Sequence, residues 1–116
     1  MNPEILDRFL LSLPGATMDV LWGADQVYKV GGKMFAVVGP GGTLSFKAND
    51  VAFEMLVETG AARPAPYGAR AKWVFVDDPS SFDEADLRRR LETAHEIIAA
   101  RLTRKARKAL GLEPAA

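Results

Sequence analysis

Apolar positions follow a helical spacing at both ends of this chain and a strand-like alternation between them. Ile5, Leu6, Phe9, Leu10 and Leu13 fall on one helical stripe. Asn2 is placed to cap that helix, Pro3 suits its first position because no donor is needed there, and Pro14-Gly15 ends it. Thr17 to Trp22 is a candidate strand, followed by a Gly23-Ala24-Asp25 turn. Three further strands are expected at Gln26 to Val30, Lys33 to Gly39 and Thr43 to Lys47, joined by Gly31-Gly32 and Pro40-Gly41-Gly42. Tyr28 and Val30 alternate with Val27 and Lys29, and Leu44 and Phe46 alternate with Ser45 and Lys47. An antiparallel sheet with one covered and one wet face requires that pattern. Met34 to Val38 is apolar throughout, which predicts a central strand covered at least in part on both sides.

Beyond the meander, Asn49 is the expected cap of a second helix with Phe53, Leu56 and Val57 inward and Gly60 just past its end. Pro64, Pro66 and Gly68 make Ala61 to Ala69 a stiff loop. Arg70 to Asp77 reads as a strand in which Trp73 and Phe75 alternate with Lys72, Val74 and Val76. After the Asp78-Pro79-Ser80-Ser81 turn, a long helix begins at Ser81 or Asp83 and carries Leu87, Leu91, Ala94, Ile98 and Leu102 on one stripe. Arg88, Arg89 and Arg90 flank it, with Glu92 and Glu96 in reach for pairs one turn apart. Thr103 is the expected cap of a terminal helix, Arg104 to Leu110, closed by Gly111, and Glu113 to Ala116 are expected to fray. The order of elements gives one α+β domain over residues 1–116.

Composition narrows the class. With 48% apolar and 26% charged residues, the chain has enough apolar surface to bury a core. Its apolar runs fall far short of the roughly 20 residues that span a bilayer. The first residues carry acids where a leader would carry bases, so a cytoplasmic protein without a membrane is expected. Net charge is zero, from 15 basic and 15 acidic residues, a mild argument against a general nucleic-acid binder. The distribution is uneven: residues 1–60 hold four basic and seven acidic residues, whereas residues 101–116 hold five basic and one acidic.

Candidate chemistry is sparse. The chain has no cysteine, and its one histidine, His95, falls at a boundary or surface position of a helix with no second ligand beside it. Neither a metal site nor a nucleophile and base can be assembled, so no enzyme and no cofactor are expected. The glycine pairs are followed by strands and not by a helix, so they are hairpin turns and not phosphate cradles.

The basic residues are more informative. Lys29 and Lys47 alternate with Tyr28 and Phe46 and so point away from the helix-covered face. Arg70 and Lys72 are read as standing in the same relation to Trp73 and Phe75, and Lys33 opens a hairpin. Cations on one exposed sheet face beside a hairpin suit a phosphate backbone. Surface lysines also keep strands from aggregating, which is the competing explanation. Arg101, Arg104, Lys105, Arg107 and Lys108 form a second basic site, although cations at a helix end are stabilising without a ligand. A further possibility is a protein- or small-molecule-binding module with no nucleic-acid role, in which Trp22, Tyr67 and Trp73 line a groove.

The runs WGADQVYKVGGKMFAVVG, LSFKAND and PAPYGARAKWVFVDD, followed by a last helix ending in basic residues, resemble the YjbR/MmcQ-like family of small bacterial proteins. Trp22, Lys29, Gly32, Lys33, Phe35, Lys47, Tyr67 and Trp73 carry the likeness, which covers the chain from Leu13 to Leu110. The resemblance implies a two-layer α/β sandwich of the CyaY-like type, an antiparallel sheet packed against N-terminal and C-terminal helices. It also implies a non-enzymatic DNA-binding role in which β-hairpins approach double-stranded DNA as a double wing. In this chain Lys29, Lys33, Lys47, Arg70 and Lys72 would be the contacts. Many members of the family carry an asparagine near positions 69–73, where this chain has Ala69, Arg70, Ala71, Lys72 and Trp73. Positive charge survives that departure, but the amide able to read a base edge does not. Iron-handling proteins of the same fold type rely on an acidic ridge, and the first helix here offers only Glu4 and Asp7.

Overall fold

In the computed structural model, which describes residues 1–112, six strands form one antiparallel sheet. They are β1 (Ala16–Leu21), β2 (Asp25–Val30), β3 (Lys33–Val38), β4 (Leu44–Lys47), β5 (Arg63–Pro64) and β6 (Trp73–Val76), in the spatial order β1-β2-β3-β4-β6-β5. Helices α1 (Pro3–Ser12), α2 (Asp50–Glu58) and α3 (Glu84–Ala99) cover one face, and a short α4 (Arg104–Ala109) follows. Three helices start at the expected caps and α3 at Asp83, one of its two candidates: the side chains of Asn2, Asn49, Asp83 and Thr103 accept the N–H of Ile5, Ala52, Asp86 and Ala106. The expected fraying of Glu113 to Ala116 lies outside the described residues.

The core lies between sheet and helices. Tyr28, Val30, Ala36, Val38, Leu44, Phe46, Val74 and Val76 face Leu6 and Leu10 of α1, Leu56 of α2, and Leu87, Leu91, Ala94 and Ile98 of α3. Each large apolar side chain so buried contributes about 1.5–3 kcal/mol. One expectation about the sheet needs correction. Phe46 pairs with Val74 and Leu44 with Val76, and residues opposite one another share a face. The valines of β6 therefore meet the helices, and Trp73 and Phe75 lie on the other face. β3 is central, as expected, with Val37 half-buried on the open face, but its apolar run also reflects a bulge. Tyr28 pairs with Ala36 while Lys29 pairs with Met34, so Phe35 is the extra residue and turns inward beside Ala36.

His95 is buried, not at the surface. Its Nε2 lies 2.7 Å from the Pro14 carbonyl oxygen and its ring meets Phe35 edge-on at 5.3 Å. A carbonyl only accepts, so Nε2 carries the hydrogen and ties α3 to the corner after α1. The three arginines of α3 also differ from expectation. They pair backward, Arg88 with Glu84, and Arg89 and Arg90 with Asp86, and not with Glu92 or Glu96.

Tyr28 fastens α1 to the sheet by donating its hydroxyl to Asp7 Oδ1 at 2.5 Å. Burial, and then the hydrogen bond to and negative charge of Asp7, push the phenol well above the usual tyrosine range. The folded state holds this proton more tightly than the unfolded chain does. Its contribution is therefore full below about pH 10 and is lost as pH rises above that. Tyr28→Phe should lower stability near neutral pH by about 1.5–3 kcal/mol, the worth of a hydrogen bond to a charged group. It should also flatten the alkaline loss, both effects read from urea unfolding at neutral and alkaline pH.

Candidate nucleic-acid interface

Strand direction sorts the charges. β2 ends, β3 begins, β4 ends and β6 begins at one end of the sheet, where α3 also finishes. The Gly31-Gly32 hairpin at this end has both φ values positive, +58° and +79°. A Cβ built on Gly31 would fall 2.6 Å from both methyls of Leu102, so the chain after α3 sits directly on the hairpin. Lys33, Lys47, Arg70, Lys72, Arg101 and the α4 cations Arg104, Lys105 and Lys108 gather here from separate segments, with Asp50 and, in the last turn of α3, Glu96 as acids among them. At the other end stand Glu4, Asp25, Glu58, Asp77, Asp78, Asp83, Glu84 and Asp86. Most cations near that end are paired, Arg63 with Asp77 at 2.9 Å and the α3 arginines with Glu84 and Asp86, while Arg8 of α1 stands exposed beside Glu4 and Gln26 without an ion pair among the described residues. A net charge of zero thus conceals a molecule polarised along its strands.

The four strand cations expected on one exposed sheet face, Lys29, Lys47, Arg70 and Lys72, do not share it. Lys29 does lie on the open face, but its Nζ is 3.2 Å from Asp19 on the neighbouring strand. Lys47 also has that facing and is nevertheless buried, with 6% of its surface exposed. Its Nζ donates to the carbonyls of Ala48 (2.9 Å) and Ala71. Burial first, then the cations of Arg101 and Lys72 against an opposing Asp50, pull this amine below the usual lysine range. Arg70 and Lys72 are not on a strand. Ala69–Ala71 forms a 3-10 turn, and Lys72 takes a left-handed conformation (φ +61°) that swings the chain into β6. The Gly68 carbonyl accepts from Ala71 and Trp73 to close this turn, and a Cβ at Gly68 would lie 2.8 Å from Trp73 Cβ, so the turn needs glycine there. Lys72 Nζ rests 4.9 Å above the Phe53 ring, a cation–π contact. Lys33 and Arg70 are exposed, and among the described residues neither has an ion pair.

The second basic site, taken in sequence as separate, joins the first at the hairpin end. Arg101, Arg104, Lys105 and Lys108 are exposed, whereas Arg107 turns inward and donates to the Ala99 carbonyl at 2.6 Å. The signal that could have united the two sites was parity of direction: an even number of strands returns β4 and α3 to the same end. The aromatics do not line one groove. Trp22 is exposed at the acidic end beside β1, Tyr67 is exposed near the opposite edge and end, and Trp73 is buried.

The YjbR family model matches residues 11–97. The chain belongs to the YjbR family. No curated protein matches it. Among solved structures, this YjbR-family chain is similar to the Deinococcus radiodurans protein DR2400, which has a DUF419 domain. The TM-score is 0.85 at 21% identity, over 99% of this chain and 91% of that one. The YjbR match ends within α3, so Arg101 and the cations of α4 lie beyond it, while the structural likeness extends over them. Among the described residues no group of three His, Cys, Asp or Glu side chains is placed to hold a metal, and no helix is long and apolar enough to cross a membrane. The cleft of about 280 Å³ between α2 and α3 of this YjbR domain is lined by Phe46, Asn49, Asp86, Arg89, Arg90 and Thr93. Its acid is already engaged by its two arginines.

Proposed function

We propose that this YjbR-family protein binds duplex DNA through the hairpin end of its sheet, without catalysis and with little sequence preference. One observation carries this reading. Toward the acidic end Arg63 and the α3 arginines are paired internally and Arg8 alone is not, whereas Lys33, Arg70, Arg101, Arg104, Lys105 and Lys108 stand exposed together without ion pairs among the described residues. Such a cluster releases counterions when it meets phosphates. Lys29 and Lys47 leave the contact set because their charges are spent on Asp19 and on two carbonyls. Lys72 adds field more than contact. The absence of a catalytic role is supported by His95, whose Nε2 is committed to Pro14.

Titration of a labelled duplex tests the reading. If four or five phosphates are engaged, log affinity should fall with log salt at a slope of about −4 between about 50 and 200 mM. Lys33→Ala and Arg70→Ala should each weaken binding uniformly across sequences and reduce the slope by about 1. No binding at the lowest salt, or a response confined to one sequence, overturns it.

A further inference from the structure

The two edges of the sheet are built differently. β5 is two residues long, contains Pro64, and has its Arg63 held by Asp77 and stacked on Phe75. These features keep an edge from pairing. β1 is six residues long and pairs with β2 along its whole inner side. It contains neither proline nor lysine, and beside it Val20 is 60% and Trp22 66% exposed. Such a strand presents a row of open backbone donors and acceptors to another strand.

Charge selects what that strand is. Leu110 of the basic C-terminal segment lies against Gly15 at the start of β1, with a Cβ built on Gly15 only 3.5 Å from Leu110 Cβ. Lys108 is therefore near the start of β1, while Asp25 and the Glu4 end of α1 are near its finish. A second copy laid edge to edge and antiparallel has its polarity reversed, so the acidic end of each copy meets the basic end of the other. We propose that β1 pairs antiparallel with β1 of a second copy, giving a two-fold symmetric dimer with a continuous sheet. Opposed residues must share a face, and Asp19 opposite Asp19 would repel. With Val20 opposite Val20, Asp19 lies across from Leu21 and the two exposed valines cover one another, while Trp22, left-handed (φ +51°) in the turn after β1, stands just past the ladder. The inference rests on β1 and on charge polarity, and stands or falls independently of DNA.

Sedimentation equilibrium of the full chain from micromolar to millimolar concentration should reveal a monomer–dimer equilibrium that weakens with salt. Val20→Lys should weaken it by roughly tenfold or more, since it places like charges across the new pair. Val51→Lys, at a 79% exposed position on α2, should leave it unchanged. Circular dichroism checks that both variants stay folded. Because the chain has no cysteine, single Val20→Cys and Thr17→Cys variants report the register. Opposed Cα atoms in such a ladder lie about 4.5–5.5 Å apart, within disulfide reach, so Val20→Cys should cross-link under mild oxidation and Thr17→Cys should not. A chain that is monomeric at millimolar concentration, which would leave β1 to a foreign strand, overturns the proposal. So does equal loss in the two lysine variants, or equal cross-linking by the two cysteines.

Discussion

Gly31→Ala is expected to destabilise the protein by about 2–4 kcal/mol, whereas Gly32→Ala next to it should cost about 1–2 kcal/mol. Both glycines are left-handed, so both variants incur the conformational term of about 1–2 kcal/mol for a residue with a Cβ. Only Gly31 adds a collision, because its new Cβ would lie 2.6 Å from the two methyls of Leu102, while nothing lies within 4 Å of Gly32. Leu102 is buried at the edge of the core, so it gives way by turning its methyls toward the cleft it lines with Arg104, Arg107 and Lys108 or by lifting the junction between α3 and α4, and either displaces the basic segment. That junction holds the exposed Arg104, Lys105 and Lys108 beside the hairpin. Gly31→Ala should therefore also lower DNA affinity under conditions where the variant is still folded. Urea unfolding and duplex titration of the two variants provide the comparison. Equal stability loss at the two positions would mean that the contact with Leu102 carries no weight.

Helix caps and the boundaries of the first four strands were legible because they depend on local chemistry, whereas β5 fell inside the expected Ala61 to Ala69 loop and β6 begins at Trp73 and not at Arg70. Asn2 with Pro3, Asn49, Thr103 and the positive-φ glycines act within a few residues of themselves. The direction a side chain faces was legible where one strand alternates cleanly, as at Tyr28 and Lys29. It was not legible at β6, where Trp73 and Phe75 outweigh Val74 and Val76 in size yet lie on the open face. Pairing with β4 decides that, and pairing is not written in β6 alone. The bulge at Phe35 is hidden for the same reason, since an extra residue exists only relative to the partner strand. Burial of Lys47 and His95 depends on carbonyls at Ala71 and Pro14, 24 and 81 residues away in the chain. For the candidate site, a sequence sum of charges discards position. The zero total argued against a nucleic-acid partner, while the fold collects unpaired bases at one end and acids at the other.

Lys47 provides the sharpest separation between holding the site and contacting a ligand. Lys47→Met keeps most of the aliphatic stem but removes both donors, and should cost about 3 kcal/mol because the Ala48 and Ala71 carbonyls lose a charge-assisted partner in a buried place. The pH dependence has a definite sign. Folding lowers the proton affinity of this amine, so the unfolded chain binds the proton more tightly between the folded value and the ordinary value of about 10.4. Stability from this group should therefore rise with pH through that interval and stay level below it, and a neutral amine still has two N–H groups for the two carbonyls. The wild type minus Lys47→Met difference isolates this rise from the opposing Tyr28 contribution, which both proteins share. In DNA titrations Lys47→Met should act only through the Ala69–Ala71 turn that carries Arg70. Combining it with Arg70→Ala should then add almost nothing to the loss in affinity, whereas Lys33→Ala should weaken binding at unchanged stability. Additive losses for Lys47→Met and Arg70→Ala would instead make Lys47 a phosphate contact in its own right and reverse the assignment made from its burial.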